Sequence, residues 1–174
     1  MKIEGREGLV GFPQEAFMPF ILHVSSFCRC HLRYHPRVPV SEHRYHRRVE
    51  FADTDMAGVV HFSWIARYME EAEHALWREA GLSIVAVDSP LGFPRVAVSI
   101  NFKAPLFFEN EFDILVRITA ISARSISYSH TITRGDTTIA TGTMTAVCVT
   151  KNGDGTMQAT AIPAAILKQL AVHA

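Results

Sequence analysis

Cysteine is scarce in this chain and odd in number: Cys28, Cys30 and Cys148 among 174 residues. That argues against a disulfide-built secreted scaffold and suits a reducing compartment, so the cytoplasm is the expected location. Net charge is missing as well. Seventeen basic residues balance seventeen acidic ones, which leaves no overall field to attract nucleic acid or a membrane surface. No apolar run reaches the roughly 18–20 residues of a membrane span. The stretch between Leu9 and Val24 is interrupted by Pro13, Glu15 and Pro19 and lacks both a basic lead and a small-residue cleavage site, so it does not read as a signal peptide. GxGxxG, P-loop, GxSxG and HExxH motifs are all absent, which removes the common signatures of dinucleotide and nucleotide binding, serine hydrolysis and zincin chemistry. What is present is 48% hydrophobic and 20% charged residues, the composition of a single globular domain with a real core.

The charge balance conceals an asymmetry. Six arginines (Arg29, Arg33, Arg37, Arg44, Arg47, Arg48) fall between Cys28 and Arg48, and five of the nine histidines lie between His23 and His46, against the single acid Glu42. Residues 1–42 show no sustained period of 2 or 3.6 and carry Pro13, Pro36 and Pro39, so they read as an irregular extension or a mis-assigned start, with the domain proper at 43–174. One reading places the true start of translation at Val40; intact mass of the protein expressed from its native gene tests it. Cys28, Cys30, His31 and His35 can be written as a ligand set, but they lack the paired spacing of structural zinc sites, and no metal is predicted.

Beyond this extension the pattern is regular. Arg44–Phe51 reads as a strand and is followed by the turn ADTDMAG, in which Gly58 supplies a permissive backbone. From Ile65, apolar positions at Tyr68, Met69, Ala72, Ala75, Leu76 and Ala80 step by three and four, which predicts an amphipathic helix closed by Gly81. Arg67, Glu70, Glu71, His74, Arg78 and Glu79 fall on its other faces. The period then changes to two. Arg95–Lys103, Glu111–Ile121, Ser125–Thr133 and Thr137–Thr150 read as strands, with a tight hairpin at Arg134-Gly135-Asp136. Asn152–Gly155 reads as a loop and Pro163–Val172 as a short helix with Pro near its start. One strand, a long helix and four more strands with short connections make an α+β domain: a five-stranded antiparallel sheet packed on one helix.

The stretch Arg48–Leu82 places an acid beside a helix amino terminus. Unpaired N–H groups there stabilise developing negative charge, and a neighbouring carboxylate can attack a carbonyl or activate water against it. On the pattern alone, Asp53 and Asp55 serve equally well as turn or helix caps. The run VEFADTDMAGVVHF, followed by a helix carrying YMEEAE, closely resembles the hotdog-fold thioesterases of the 4-hydroxybenzoyl-CoA thioesterase and YbgC-like group over about Arg44–Thr150. The resemblance implies a sheet wrapped around a long central helix, subunits joined sheet edge to sheet edge as a homodimer or homotetramer, and an acyl-CoA substrate at the interface. Coenzyme A is then part of the substrate, and no separate cofactor is implied.

Carried over by position, Asp55 matches the catalytic carboxylate, as nucleophile or as base, and the backbone N–H of Phe62 the oxyanion donor. A thiolate leaves readily, so one carboxylate can serve without a leaving-group acid. Asp53 keeps the capping role. His61 is a possible orienting imidazole and equally a polar cap; relatives often carry His one position later, where this chain has Phe62. Glu70, which matches an acid on the family's central helix, reads as a structural or ion-paired residue, and Glu71 and Glu73 are helix carboxylates of the kind other hotdog branches use as the catalytic group. Glu73 is the fallback catalytic acid. Trp64 replaces an Asn common in relatives and reads chiefly as packing. Arg124 and Ser125, in a turn where relatives often bind coenzyme A, are the candidates for that contact. The implied activity is acyl-CoA thioester hydrolysis. The alternatives are a non-catalytic acyl-CoA or acyl-carrier-protein binding protein and, less well fitting, a hotdog dehydratase or hydratase.

Overall fold

A computed structural model describes residues 38–85 and 89–174, all within one compact unit spanning 36–174. The expectations for Cys28, Cys30, His31, His35 and the segment 1–37 fall outside the described residues.

Five strands form one antiparallel sheet: β1 (Glu42–Arg48), β3 (Arg95–Phe102), β4 (Glu111–Ile121), β5 (Ser125–Arg134) and β6 (Thr137–Val147), in the order β1-β4-β5-β6-β3. The helix α1 (Phe62–Glu79) lies on one face of it. The alternation along β5, whose even-numbered positions Ile126, Tyr128, His130 and Ile132 are buried, delivers one side of each strand to the helix. The facing stripe of α1 is Ile65, Tyr68, Met69, Ala72, Ala75, Leu76 and Trp77. Trp77, Tyr68, Tyr128 and Phe112 are the bulkiest fully buried side chains, each stabilising the fold by roughly 1.5–3 kcal/mol relative to exposure. The approach of helix to sheet is close enough to dictate Gly142. A Cβ there would lie 2.7 Å from Met69 Cε and 2.7 Å from the Ser99 carbonyl, so Gly142 allows α1 to settle onto β6.

Boundaries follow local chemistry. β1 ends at Arg48, short of the expected Phe51, because Glu50 and Asp53 make a reciprocal capping box that turns Phe51–Asp53 into a short 3-10 helix. α1 stops as expected: Gly81, at φ 72°, donates to the Arg78 carbonyl while Leu82 donates to that of Trp77 (3.0 and 2.8 Å). The run Thr137–Thr150 is two strands rather than one. β6 ends at Val147, and β7 (Val149–Lys151) joins β2 (Leu91–Gly92) and β8 (Met157–Ala159) in a three-stranded sheet, with Asn152–Gly155 inside the hairpin between β7 and β8. The terminal helix α2 covers only Ala164–Leu167.

Candidate active site

Backbone pairing pins the acidic turn to the start of α1. The Asp53 carbonyl accepts the His61 N–H, the Asp55 N–H donates to Val59, and the Gly58 N–H closes back on the Asp55 carbonyl, each at 2.9 Å. Gly58 takes φ 76°, a left-handed conformation that strains other residues. Asp55 therefore sits across a tight loop from Val59, three positions before the first residue of the helix.

A helix start leaves four N–H groups without an intrahelical acceptor. Here His61 donates to Asp53, Ser63 reaches the His61 Nδ1 at 3.4 Å, and Trp64 returns to the His61 carbonyl at 2.9 Å. Among the described residues, only the Phe62 amide of these four has no acceptor. Phe62 as a residue is 67% exposed. His61 is the N-cap, its ring also bonded to the Ser63 hydroxyl at 2.8 Å.

The two turn acids occupy opposite environments. Asp55 is exposed; one carboxylate oxygen accepts the Ala57 N–H at 2.8 Å, and the other accepts nothing among the described residues. Asp53 is 1% exposed. Its Oδ2 accepts from the Tyr68 hydroxyl (2.7 Å), the Glu50 N–H (3.1 Å) and Arg47 Nη2 (3.2 Å). Arg47 also pairs with Glu71 and lies over the Tyr68 ring, 4.4 Å from its centroid. Burial opposes the Arg47 charge, but the hydrogen bond and charge of Glu71, with the charge of Asp53, outweigh it and hold the guanidinium above its ordinary value. Burial first, then the hydrogen bond to Asp53 and its charge, push the Tyr68 phenol well above its ordinary 10.0. Asp53 thus caps the 3-10 turn and anchors it to the core.

Glu73 lies on the buried side of α1, fully inaccessible, with Arg95 Nη2 at 2.7 Å and His130 Nε2 at 3.4 Å. Arg95 also reaches Glu70 at 3.2 Å. Trp64 stacks beneath Arg67, with the guanidinium 5.2 Å from the ring centroid, a packing role. Arg124 and Ser125 lie at the β4–β5 turn, where Ser122 Oγ accepts both of their N–H groups (3.2 and 2.9 Å). Neither lines the cleft beside Phe62.

That cleft, about 310 Å³, opens at the helix start and is walled by Val59, Val60, Phe62, Ile65, Leu106 and Ile139, among others. Its far wall, from Phe102 to Leu106, is bonded to the turn by the Val60 N–H donating to the Leu106 carbonyl at 2.9 Å. The turn that bears the Asp55 carboxylate is thus bonded to Val59, a wall of the cleft that Phe62 also lines. A family model described as the thioesterase-like superfamily matches residues 49–170. The chain belongs to that superfamily.

Individual relatives agree. The chain is 28% identical over 107 residues to a 1,4-dihydroxy-2-naphthoyl-CoA hydrolase of Microcystis aeruginosa, spanning 60% of this chain and 78% of that one. A protein of unassigned function from Aquifex aeolicus superposes with a TM-score of 0.69 at 26% identity, covering 74% and 99% of the two chains. A gentisyl-coenzyme A thioesterase superposes at 0.66 with 30% identity, covering 72% and 99%. The helix wrapped by a five-stranded sheet is the hotdog fold of this superfamily. Among the described residues, no helix is long and apolar enough to cross a membrane.

Sequence reasoning missed Arg47, Tyr68, Arg95 and His130, the residues that hold the buried acids, and the Phe102–Leu106 wall. For the wall a signal existed. The run Phe102-Lys103-Ala104-Pro105-Leu106 is apolar but for Lys103 where a polar loop would be ordinary.

Proposed function

We propose that this superfamily member hydrolyses acyl-CoA thioesters, with Asp55 as the reacting carboxylate and the Phe62 amide as oxyanion donor. The observation that carries the reading is the orphan Phe62 N–H at the mouth of an apolar cleft, with an unpartnered Asp55 oxygen on the adjoining loop. The acyl group enters the cleft and its carbonyl oxygen takes the Phe62 hydrogen bond. Asp55 then removes a proton from an attacking water, or itself adds to the carbonyl to give a mixed anhydride that water opens. Either way the C–S bond breaks, coenzyme A leaves as thiolate and the acid is released. A single preorganised donor of this kind is worth on the order of 3 kcal/mol in other enzymes.

Homodimerisation through β3 is part of the proposal. The sheet has two edges, and they differ. β1 (EHRYHRR) is charged, as an edge that avoids pairing should be. β3 (RVAVSINF) pairs on one side only and exposes Val96, Val98 and Phe102 at 62%, 50% and 55%. A second copy joining there would continue the sheet; Val98→Lys is expected to give a monomer by light scattering. A cytoplasmic location accords with the small, odd set of cysteines.

The test of function is release of free coenzyme A from aliphatic and aromatic acyl-CoAs by wild type and Asp55→Asn. Turnover that vanishes in the variant supports the reading. Undiminished hydrolysis removes Asp55 from the mechanism, and binding without turnover by the wild type favours a carrier-type binding protein.

A further inference from the structure

We propose that Arg47 is a positioning residue for the hydrolysis: acting through Asp53, it fixes the turn that bears Asp55 against the helix that bears the Phe62 donor. The inference rests on the thioesterase reading and deepens it. The two reacting groups belong to different elements, Asp55 to the turn and the Phe62 amide to α1, so the rate depends on what sets their spacing.

Asp53 is the residue at which the supports of turn and helix meet. Its carbonyl closes the turn by accepting the His61 N–H at 2.9 Å, and the bonds between Asp55 and Val59 and between Gly58 and Asp55 fall inside that closure. Its buried side chain takes the Tyr68 hydroxyl of α1 at 2.7 Å and Arg47 Nη2 of β1 at 3.2 Å on the same oxygen. Arg47 then reaches the helix directly. Its Nη1 donates to Glu71, three residues beyond Tyr68, and its guanidinium lies 4.4 Å from the Tyr68 ring centroid and 5.8 Å from that of Trp64. One planar group thus holds the acid of the turn by one nitrogen and an acid of the helix by the other, over two rings of that helix. A lysine ammonium keeps the charge but is a single point that does not span both acids in this way. The clamp runs between β1, the turn and α1. Because β1 is the sheet edge opposite β3, it takes no part in the proposed seam.

The test compares release of coenzyme A from hexanoyl-CoA and benzoyl-CoA by wild type, Arg47→Lys, Asp55→Asn and the double variant, with the folded fraction of each taken from its urea melt. The expected result is a folded Arg47→Lys whose kcat falls roughly 10- to 100-fold at a KM near wild type, the loss that follows a displacement of about 1 Å at the reacting groups. A merely structural ion pair would move the urea midpoint and leave kcat per folded molecule alone. In the Asp55→Asn background the same substitution should change the residual kcat by less than about twofold, because the group whose place it sets no longer reacts. A folded Arg47→Lys with wild-type kcat overturns the inference, as does an equal fold-loss in both backgrounds. Should Arg47→Lys fail to fold, Glu71→Gln carries the test: it loosens the clamp at a partly exposed acid and should lower kcat several-fold, and an unchanged kcat there overturns the inference. Wild type that releases coenzyme A from neither substrate, or Asp55→Asn that releases it as fast as wild type, overturns the thioesterase reading as drawn. Full activity in Arg47→Lys beside an inactive Asp55→Asn overturns the inference alone.

Discussion

The acid at the turn and the acid in the core differ in every respect that governs reactivity. Asp55 is exposed, holds one N–H and keeps an oxygen open. Glu73, about 16 Å along α1 from Phe62 at 1.5 Å per residue, is sealed from water and faces Arg95 and His130. A buried carboxylate keeps its charge only beside cations and donors; Arg95 is hydrogen-bonded to Glu73 Oε2, while Oε1 is sealed from water without a hydrogen bond. Asp53 belongs with Glu73 although it is two residues from Asp55: it is buried, and Arg47, Tyr68 and the Glu50 amide all donate to its Oδ2. The contrast separates two acids paired in the interior from one exposed acid, the one the proposed mechanism uses. Glu73 ties α1 to β3 and β5, Asp53 ties the turn to α1 and β1, and Asp55 is the acid left over.

Substitutions at the two sites should dissociate activity from stability. Asp55→Asn is expected to lower kcat by roughly 10²- to 10⁴-fold, the usual contribution of a positioned base, while its urea midpoint stays at the wild-type value. Glu73→Ala should do the reverse. Removing one partner of a buried charge pair costs about 3–5 kcal/mol, and the protein that remains folded should retain its turnover per active molecule. Urea melts paired with coenzyme A release decide it. A folded, inactive Glu73→Ala beside an active Asp55→Asn would exchange the two roles and end the comparison as drawn.

The anchoring of Asp53 makes a prediction at alkaline pH. Tyr68 is raised above its ordinary 10.0 by burial and then by Asp53, and Tyr128 is raised by burial against the opposing hydrogen bond from Trp77. For a raised group, the stabilisation is fully present below the unfolded-state value and is lost as pH rises toward the folded-state value, because the unfolded phenol gives up its proton first. Stability measured in urea should therefore fall as pH climbs past about 10. Tyr68→Phe should shallow that fall. At neutral pH it should also cost about 1–3 kcal/mol, since a buried carboxylate loses a donor. An unchanged alkaline slope in Tyr68→Phe would separate the phenol from the Asp53 anchor.

How much of this was legible depends on the range of the interaction. Short-range signals read correctly: β4 occupies Glu111–Ile121 as its alternation predicts, and Gly81 ends α1. The five-stranded antiparallel sheet on one helix follows from the same periods. Contacts went unread where a distant partner decides. Nothing local to Asp-Thr-Asp says which acid meets Arg47 and Tyr68, because Tyr68 arrives from 15 residues away. Glu73 looks like any helix acid until Arg95 and His130 come in from β3 and β5. The break at Cys148 is invisible in an unbroken apolar alternation; it depends on β2 pairing with β7. For the proposed donor, local periodicity indicated a helix start, and the position of Phe62 came only from the resemblance.

The smallest expected effect concerns His61, which stands between the two kinds of residue. Its ring accepts the Ser63 N–H at a long 3.4 Å and bonds the Ser63 hydroxyl at 2.8 Å, the geometry of a cap. Its side chain is also one residue from the Phe62 donor. As a cap alone, His61→Ala should cost about 1 kcal/mol, and His61→Asn, which can still accept from Ser63, should recover most of it. Turnover in both variants should stay near wild type, because the Phe62 amide is held by the helix rather than by the imidazole. An imidazole that oriented the attacking water would behave differently: both variants would lose turnover by roughly 10²-fold or more, and Asn would rescue stability without rescuing rate. Measuring kcat and the urea midpoint on the same two proteins separates a cap from a reagent at the one position where turn and helix share a residue.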